Sequence, residues 1–277
     1  MNKIIVPIDF SEHSEYALEA AVTLAKGNGA EIIALHMLEM SDSVLTSTDS
    51  EQQQKAVFFL KLAEKRFNEF LDKPYLKEAN VTPLVKHFKV FSEVNDVAKD
   101  QGADLIVMGS HGTSGLSEIF VGSNTEKVVR HSEIPVLVLK HKFNKDHLKD
   151  VVFASDFSAE SVAVYQKAKT LFQDFKAKLH LLHVNLPSDR FRSTNEIDQT
   201  VSNFLMKAEG NLDKLSQINF VSDYTVEKGV LNFANRIGAD LIAVATHGRT
   251  GIAHFFEGSI SEDIANHAVL PVMTFKI

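Results

Sequence analysis

Short apolar runs alternate with amphipathic segments along the whole chain. In the first half, the apolar runs predict strands, and segments with apolar positions at helical spacing predict the helices between them. The predicted strands are 3–8, 31–38, 82–90, 104–108 and 134–139, and the predicted helices are 12–26, 52–71, 93–100 and 126–130. Strands that alternate with helices predict a parallel sheet flanked by helices.

The same order of elements returns in the second half. Its predicted strands are 151–155, 178–185, 224–228, 241–244 and 271–275, and its predicted helices are 158–175, 196–215 and 230–236. Asp9 and Asp156 are 147 positions apart, whereas Gly122 and Gly258 are 136 positions apart. Two constant offsets separated by one deletion indicate a duplication. The chain is therefore predicted to hold two copies of one α/β domain, at 1–143 and 147–277.

A glycine-rich stretch follows the fourth predicted strand of each half. In the first half it runs from Gly109 to Ser123 in the pattern G-x2-G-x9-G-S, and Ser123 with Glu126 forms a capping-box pattern. Glycines let the backbone approach a ligand, and a helix N-terminus attracts anions through its unpaired N–H groups and its dipole. The stretch predicts a phosphate site. Ala245 replaces the first glycine in the second half, so the prediction is weaker there.

Composition and charge narrow the classes of partner. The chain has a formal net charge of −7 and no cysteine, which argues against a nucleic-acid surface and rules out disulfides and thiolate metal sites. A mononucleotide stays open, because backbone N–H groups can hold phosphates without net positive charge. Neither a signal-peptide pattern nor an apolar run of membrane-spanning length is present, so we expect a cytoplasmic protein without a membrane partner.

Candidate ligand groups lie where strands are expected to end. In open parallel sheets, ligands bind at the carboxyl ends of strands where the strand order reverses. Asp9 ends the first predicted strand and Gly109 follows the fourth, so the two would line one crevice if these strands are neighbours. His36 and His183 lie within apolar strands and are interpreted as packed core residues. Zinc ligation by the protein is not expected, because no set of His, Asp and Glu has the spacing of zinc ligands.

These features together resemble the universal stress protein family, once in each half and over nearly the whole chain. The resemblance is carried by Pro7-Ile8-Asp9 at the end of the first strand, by the His36 position, and by the glycine pattern from Gly109 to Ser123. That pattern marks the ATP-binding branch of the family. The resemblance implies two domains, each with a five-stranded parallel sheet of order 3-2-1-4-5 and helices on both faces, paired as a pseudo-dimer through their last strands. It also implies ATP, or AMP or ADP, as the ligand, with Mg²⁺ held mainly by phosphates.

The resemblance also implies the residues that surround the nucleotide. Asp9 would hold the ribose or adenine edge, and Met37 would offer backbone groups to adenine. The implied positions of the first half are Pro7, Ile8, Asp9, Met37, Met108, Gly109, His111, Gly112, Gly122, Ser123, Asn124 and Thr125. Those of the second half are Ala154, Ser155, Asp156, Val184, Val244, Ala245, Gly248, Gly258, Ser259, Ile260 and Ser261.

Three functions stay open from the sequence. The favoured hypothesis is an adenine-nucleotide-binding regulatory protein of the stress response, because no Walker-type lysine and no paired carboxylates accompany the glycines. The second is an enzyme that cleaves or transfers at the nucleotide's α-phosphate, or a slow nucleotide hydrolase, for which His111 is the only candidate base in the first half. The third is a nucleotide-independent partner-binding module, which Ala245 makes credible for the second half. The chain would pair its own domains or form a homodimer.

Overall fold

A computed structural model describes residues 1–26, 29–39, 49–88, 93–110, 122–143, 148–246, 264–265 and 267–277. The chain divides into two compact units, at 1–143 and 144–277. Both are of the α/β class, with parallel strands and helices that alternate along the sequence. Of the described residues, no helix is both long enough and apolar enough to span a lipid bilayer.

The first unit contains five parallel strands and four helices among its described residues. The strands are β1 (Lys3–Pro7), β2 (Glu31–Glu39), β3 (Val81–Phe88), β4 (Leu105–Gly109) and β5 (Val136–Leu139). The helices are α1 (Glu12–Ala25), α2 (Asp49–Phe70), α3 (Val94–Asp100) and α4 (Ser123–His131). Strand β1 pairs with β2 on one side and β4 on the other, β2 also pairs with β3, and β4 with β5. The carboxyl ends of β1 and β4 are therefore neighbours.

Burial on both faces explains the short apolar runs of β1 and β4. Residues 4–7 and 105–109 are all buried, as expected for a parallel sheet with helices on each side. The apolar face of α1 is narrow, and Ala17, Ala21 and Leu24 are buried on it. Ser11 caps this helix, as predicted, because its hydroxyl accepts from the Ser14 amide at 3.2 Å.

The second unit repeats this arrangement. Its strands are β6 (Asp150–Ala154), β7 (Lys178–Asn185), β8 (Asn219–Ser222), β9 (Leu241–Thr246) and β10 (Val272–Lys276). Its described helices are α5 (Ser161–Asp174), α6 (Thr194–Glu209) and α7 (Val226–Ile237). Strand β6 pairs in parallel with β7 and β9, β7 pairs with β8, and β9 with β10.

The predicted strand at 224–228 is wrong, whereas the helix predicted at 230–236 is present but begins four residues earlier. The strand ends at Ser222, and α7 occupies Val226–Ile237. Thr225 starts the helix, because its hydroxyl accepts from the Lys228 amide at 3.1 Å. Gly229, which directly precedes the predicted helix, lies inside α7, where an added Cβ would approach Val184 Cγ1 to 2.6 Å. The Thr225 cap and the contact of Gly229 with Val184 thus outweigh the strand preference of Thr225 and Val226.

Two smaller expectations also need correction. The capping box predicted at Ser123 does not form, because Gly122 is the N-cap residue of α4 and Ser123 is its first helical residue. The Gly122 amide donates to the Ser110 carbonyl at 2.7 Å, which holds Gly122 extended and lets the helix begin directly after it. A capping box does form at α6, between Ser193 and Glu196.

The apolar positions of the predicted helix 52–71 fall on one side and predict a side buried in the core or in a domain interface, but helix α2 is only partly buried. Ala63 and Phe67 are 3% exposed, as predicted. Phe58 is 63% exposed and Leu62 37% exposed, so the prediction is wrong for these two. The described side chains that α2 buries lie in its carboxyl-terminal half, and Phe59 nearer its start is also exposed.

Candidate functional site

The turn after β1 fixes the Asp9 carboxylate at the end of the strand. The Ile8 amide donates to the Leu35 carbonyl at 2.7 Å and so continues the strand pairing. Asp9 Oδ1 then accepts from the Ser11 amide at 3.0 Å and from the Ser11 hydroxyl at 2.6 Å. Because Ser11 also caps α1, the half-buried carboxylate is held beside the N-terminus of that helix.

A phenylalanine in left-handed backbone conformation follows this aspartate in both units. Phe10 has φ 66° and Phe157 has φ 56°, a region that side-chain-bearing residues rarely adopt. The Phe10 ring lies 4.6 Å from the His36 ring and 5.3 Å from Phe67, centroid to centroid. Phe157 packs in the same way, 5.1 Å from Phe204. Sequence reasoning missed this anchor, although the repeated Asp-Phe-Ser is visible in both halves.

The two strand histidines support these rings. His36 Nδ1 lies 2.7 Å from the Ile8 carbonyl, so that nitrogen carries the hydrogen and donates it. Burial lowers the pKa of His36 and of His183 below the usual value, which keeps both rings neutral at neutral pH. His183 is buried, as expected, whereas His36 is half-buried.

Gly109 is required by helix packing. An added Cβ would lie 2.7 Å from His13 Cβ and 2.7 Å from the His13 carbonyl oxygen. Gly109 is not among the residues with positive φ. Its missing side chain therefore lets the first turn of α1 rest directly on the end of β4, and it is not explained by a left-handed turn.

Two hydrogen bonds join the start of α4 to the end of β4. The buried Thr125 hydroxyl donates to the Gly109 carbonyl at 2.9 Å, and the Gly122 amide donates to the Ser110 carbonyl. Thr125, expected near the phosphates, thus has a structural partner within the protein. The side chain of Ser123 is exposed. The first amides of a helix have no carbonyl partner within it, and its dipole favours an anion there.

The structure thus brings most of the predicted first-unit residues to one edge of the sheet. Met37 lies in β2, two residues beyond the pairing partner of Pro7, and is buried. Met108, the residue before the end of β4, is also buried. His111 and Gly112 lie outside the described residues.

The second unit builds a similar turn with a different start to its first helix. Asp156 Oδ1 accepts from the Ser158 amide at 2.9 Å and from the Ser161 hydroxyl at 2.7 Å. The Ser155 hydroxyl accepts from the Phe157 amide at 3.0 Å. Helix α5 begins at Ser161, two positions later than α1 begins by the repeat spacing of 147.

The remaining second-unit positions divide into described and undescribed residues. Ala154 ends β6, Val244 is buried in β9, and Ala245 is half-buried in the same strand. Val184, near the end of β7, contacts Gly229. The other positions lie outside the described residues: Gly248, Gly258, Ser259, Ile260 and Ser261.

A lysine that sequence reasoning missed follows β5. Lys140 comes directly after Leu139, which pairs with Gly109 at the same edge of the sheet. It is half-buried, and burial lowers the pKa of its ammonium group. Lys276 occupies the matching position of the second half, 136 residues on. The repeat comparison could therefore have found this pair.

Comparisons with known proteins agree with the repeat. The model of the universal stress protein family matches residues 1–140 and again 147–276. Universal stress protein MJ0577 of Methanocaldococcus jannaschii is 32% identical over 163 residues, which covers 50% of this chain and 95% of that protein. Universal stress protein YxiE of Bacillus subtilis is 30% identical over 153 residues, covering 50% and 99%. A crystal structure of a universal stress protein from Archaeoglobus fulgidus shares the fold, with a TM-score of 0.64 and 24% identity over 99% of this chain and 98% of that one.

Proposed function

We propose that this chain, which belongs to the universal stress protein family, binds an adenine nucleotide in its first unit and acts as a regulatory protein of the stress response. The observation that carries the proposal is the convergence of three groups at one edge of the sheet. These are the anchored carboxylate of Asp9, the close-packed end of β4 at Gly109, and the N-terminus of α4 at Gly122. Membership of the family supports the proposal further, because the glycine pattern from Gly109 to Ser123 resembles that of the ATP-binding branch.

The phosphates would lie at the start of α4. Gly122 precedes the helix with φ −63° and ψ 148° and presents no side chain to a ligand. The first amides of the helix, from Ser123 and Asn124, are then available as donors, and the helix dipole adds a favourable field. Mg²⁺ would be held by phosphate oxygens and water, because hard cations keep oxygen ligands.

The nucleoside would lie nearer β1 and β2. A carboxylate at the end of a strand accepts hydrogen bonds from ribose hydroxyls, and Asp9 is held for that role by its bonds from Ser11. The buried side chains of Met37 and Met108 supply apolar surroundings for an adenine ring. In the second unit the same set of groups is proposed to bind more weakly.

The test is isothermal titration calorimetry of ATP with Mg²⁺ on the full chain. Asp9→Asn and Asp156→Asn form a matched pair, because asparagine keeps the Oδ1 acceptor that holds each turn while it removes the charge. We expect wild type to bind, Asp9→Asn to weaken binding by about tenfold through loss of a charged hydrogen bond, and Asp156→Asn to leave the stronger site unchanged.

A second variant tests the phosphate end. Gly122→Val should fold, since any residue can adopt φ −63°. Its side chain should exclude the phosphates and abolish binding at the first unit. Absence of ATP binding to the folded wild type would contradict the proposal. Release of phosphate during the same titration would favour the hydrolase alternative. The pairing of the two units as a pseudo-dimer stays a prediction.

A further inference from the structure

A cavity of about 200 Å³ lies in the second unit, between α5, β7 and the 3-10 turn at Leu215–Gln217. Leu179 and Leu181 of β7 line it. Because β7 runs from Lys178 to Asn185, these leucines lie near the amino end of the strand. The cavity is thus remote from the carboxyl ends of the strands, where the nucleotide is proposed to bind.

Tyr165, Lys169 and Lys214 line the cavity, and all three are hydrogen-bonded to Glu209. Glu209 Oε2 accepts from Lys169 Nζ at 2.6 Å, and its Oε1 accepts from Lys214 Nζ at 2.6 Å and from the Tyr165 hydroxyl. Lys214 Nζ also donates to the Tyr165 hydroxyl oxygen at 2.9 Å. The Glu209 side chain is 11% exposed, whereas those of Lys169 and Lys214 are 31% and 35% exposed. Two ammonium groups therefore share one carboxylate.

The protonation states leave an excess of one positive charge. Burial alone would raise the pKa of Glu209, but hydrogen bonds from Lys169, Lys214 and Tyr165 lower it to about 2. Burial, with the hydrogen bond to Glu209, raises the pKa of Tyr165. At neutral pH the carboxylate is ionised and the phenol is neutral. The sum of the two lysines and Glu209 is thus +1.

The rest of the lining is apolar except for Gln173 and Gln217. Its apolar part is formed by Phe172, Ala177, Leu179 and Leu181. Phe172 and Leu181 are buried, and the other two are half-buried. A volume of about 200 Å³ is smaller than the roughly 300–1,000 Å³ of sites that take drug-sized ligands. The complement of this surface is a small molecule with one negative head and a short apolar tail.

We propose that this cavity binds a small monocarboxylate with a short alkyl chain. Each ammonium group has three hydrogens, and the bonds to Glu209 and Tyr165 account for one on Lys169 and two on Lys214. The ligand carboxylate accepts the hydrogens that remain. Its alkyl chain lies against the leucines of β7. No covalent step is involved, and the site acts independently of the nucleotide crevice.

The first unit supplies an internal contrast. By the repeat spacing of 147, Val22 occupies the position of Lys169 and Ala25 that of Phe172. The first unit therefore lacks the ammonium group that α5 provides and the ring beside it. The first unit has a larger cavity at this place, of about 590 Å³, which Lys26, Lys77 and Glu78 help to line. Carboxylate binding by the arrangement of Lys169 and Lys214 is expected in the second unit.

The test is a titration of the ¹⁵N-labelled full chain with hexanoate, followed by amide chemical shifts in nuclear magnetic resonance. Hexanol and hexylamine serve as probes of equal chain length and different charge. We expect saturable shifts confined to the amides around Lys169, Leu179 and Leu181. Hexanol should bind at least about tenfold more weakly, because it cannot form charge-assisted hydrogen bonds with two ammonium groups.

Three variants separate charge from shape. Lys214→Met should weaken hexanoate binding at least about tenfold, and Lys207→Met, on the exposed surface of α6, should not. Ala177→Leu fills the cavity without changing a charge and should also abolish binding, so it decides the question if Lys214→Met fails to fold. Shifts that are absent, that hexanol reproduces at the same concentration, or that survive Ala177→Leu in a folded chain would overturn the proposal.

Discussion

The fourth strands of the two units, β4 and β9, carry glycine and alanine at one matching position, Gly109 and Ala245, and the first helices explain this exchange. Gly109 of β4 lies under the backbone of His13, where no Cβ fits. In the second unit Ala245 occupies the matching position, and α5 starts two positions later than α1 starts by the repeat spacing. The glycine of the first unit is thus tied to the placement of a helix. Its replacement by alanine is not in itself a sign that the second unit has lost a ligand.

The aromatic anchors of the two units are covered to different extents. Phe157 is 1% exposed and packs against Phe204, whose ring lies 5.4 Å from that of Tyr165, centroid to centroid. Phe10 is half-buried, and the Arg66 guanidinium lies 5.7 Å from its ring centroid. The same left-handed turn is therefore held by a closed core in one unit and by a partly open one in the other.

The largest effect should come from removing these anchors. Phe157→Ala should lower the free energy of unfolding by about 3–5 kcal/mol, as expected for a fully buried phenylalanine. Phe10→Ala should cost clearly less, because part of its ring is exposed in the folded state. Urea denaturation followed by circular dichroism measures both, and Phe220→Ala, at a residue 43% exposed, is the control. Equal losses of unfolding free energy for Phe10→Ala and Phe157→Ala would contradict the view that the core around Phe157 is closed and that around Phe10 partly open.

The next largest effect concerns the fourth strands. Gly109→Ala should destabilise the first unit by about 1–3 kcal/mol, because the added methyl group forces the start of α1 away from β4. Ala245→Gly, the reverse exchange, should cost at most about 1 kcal/mol through added backbone freedom. Denaturation curves of the two variants are compared with wild type. If Gly109→Ala were as mild as Ala245→Gly, the packing explanation would be wrong.

The smallest effect should be a pH dependence from the strand histidines. Burial lowers the pKa of His36 and of His183, so the unfolded chain binds more protons than the folded one below about pH 6.5. Their contribution to the free energy of unfolding is complete above that pH and is lost as the pH falls. His183→Gln should flatten this dependence more than His36→Gln, because His183 is buried whereas His36 is half-buried, and a backbone hydrogen bond opposes the shift in both.

Unfolding of the two glutamine variants between pH 5 and 8 is the measurement for this prediction. The same experiment on His141→Gln provides a control, since His141 is exposed. A pH dependence that neither strand variant alters would place its origin elsewhere in the chain.

The parts of the fold that sequence predicted are those with local causes. Apolar runs predict β1 and β4, and a serine at position 11, before the apolar spacing of α1 begins, predicts the start of that helix. The failures have distant causes. Gly229 belongs in a helix because of Val184, which is far away in the sequence. Phe58 satisfies the apolar spacing of α2 but lies outside the part of that helix that packs on the unit.

The candidate site divides along the same line. The positions of Asp9 and Gly109 follow from strand ends, which the pattern of apolar residues indicates. The reason for Gly109 does not follow from the pattern, because the neighbour that excludes a side chain is the backbone of His13. The left-handed conformation of Phe10 does not follow from the pattern either. Its aromatic neighbours stabilise that conformation against the intrinsic preference of the backbone.

The contact of Gly229 with Val184 has a mechanical consequence. An added Cβ on Gly229 would come within 2.6 Å of Val184 Cγ1, so helix backbone rests on a strand side chain with no flexible group between them. Close-packed interiors have low compressibility. We therefore expect a displacement of Val184, near the carboxyl end of β7, to move the first turns of α7 with it.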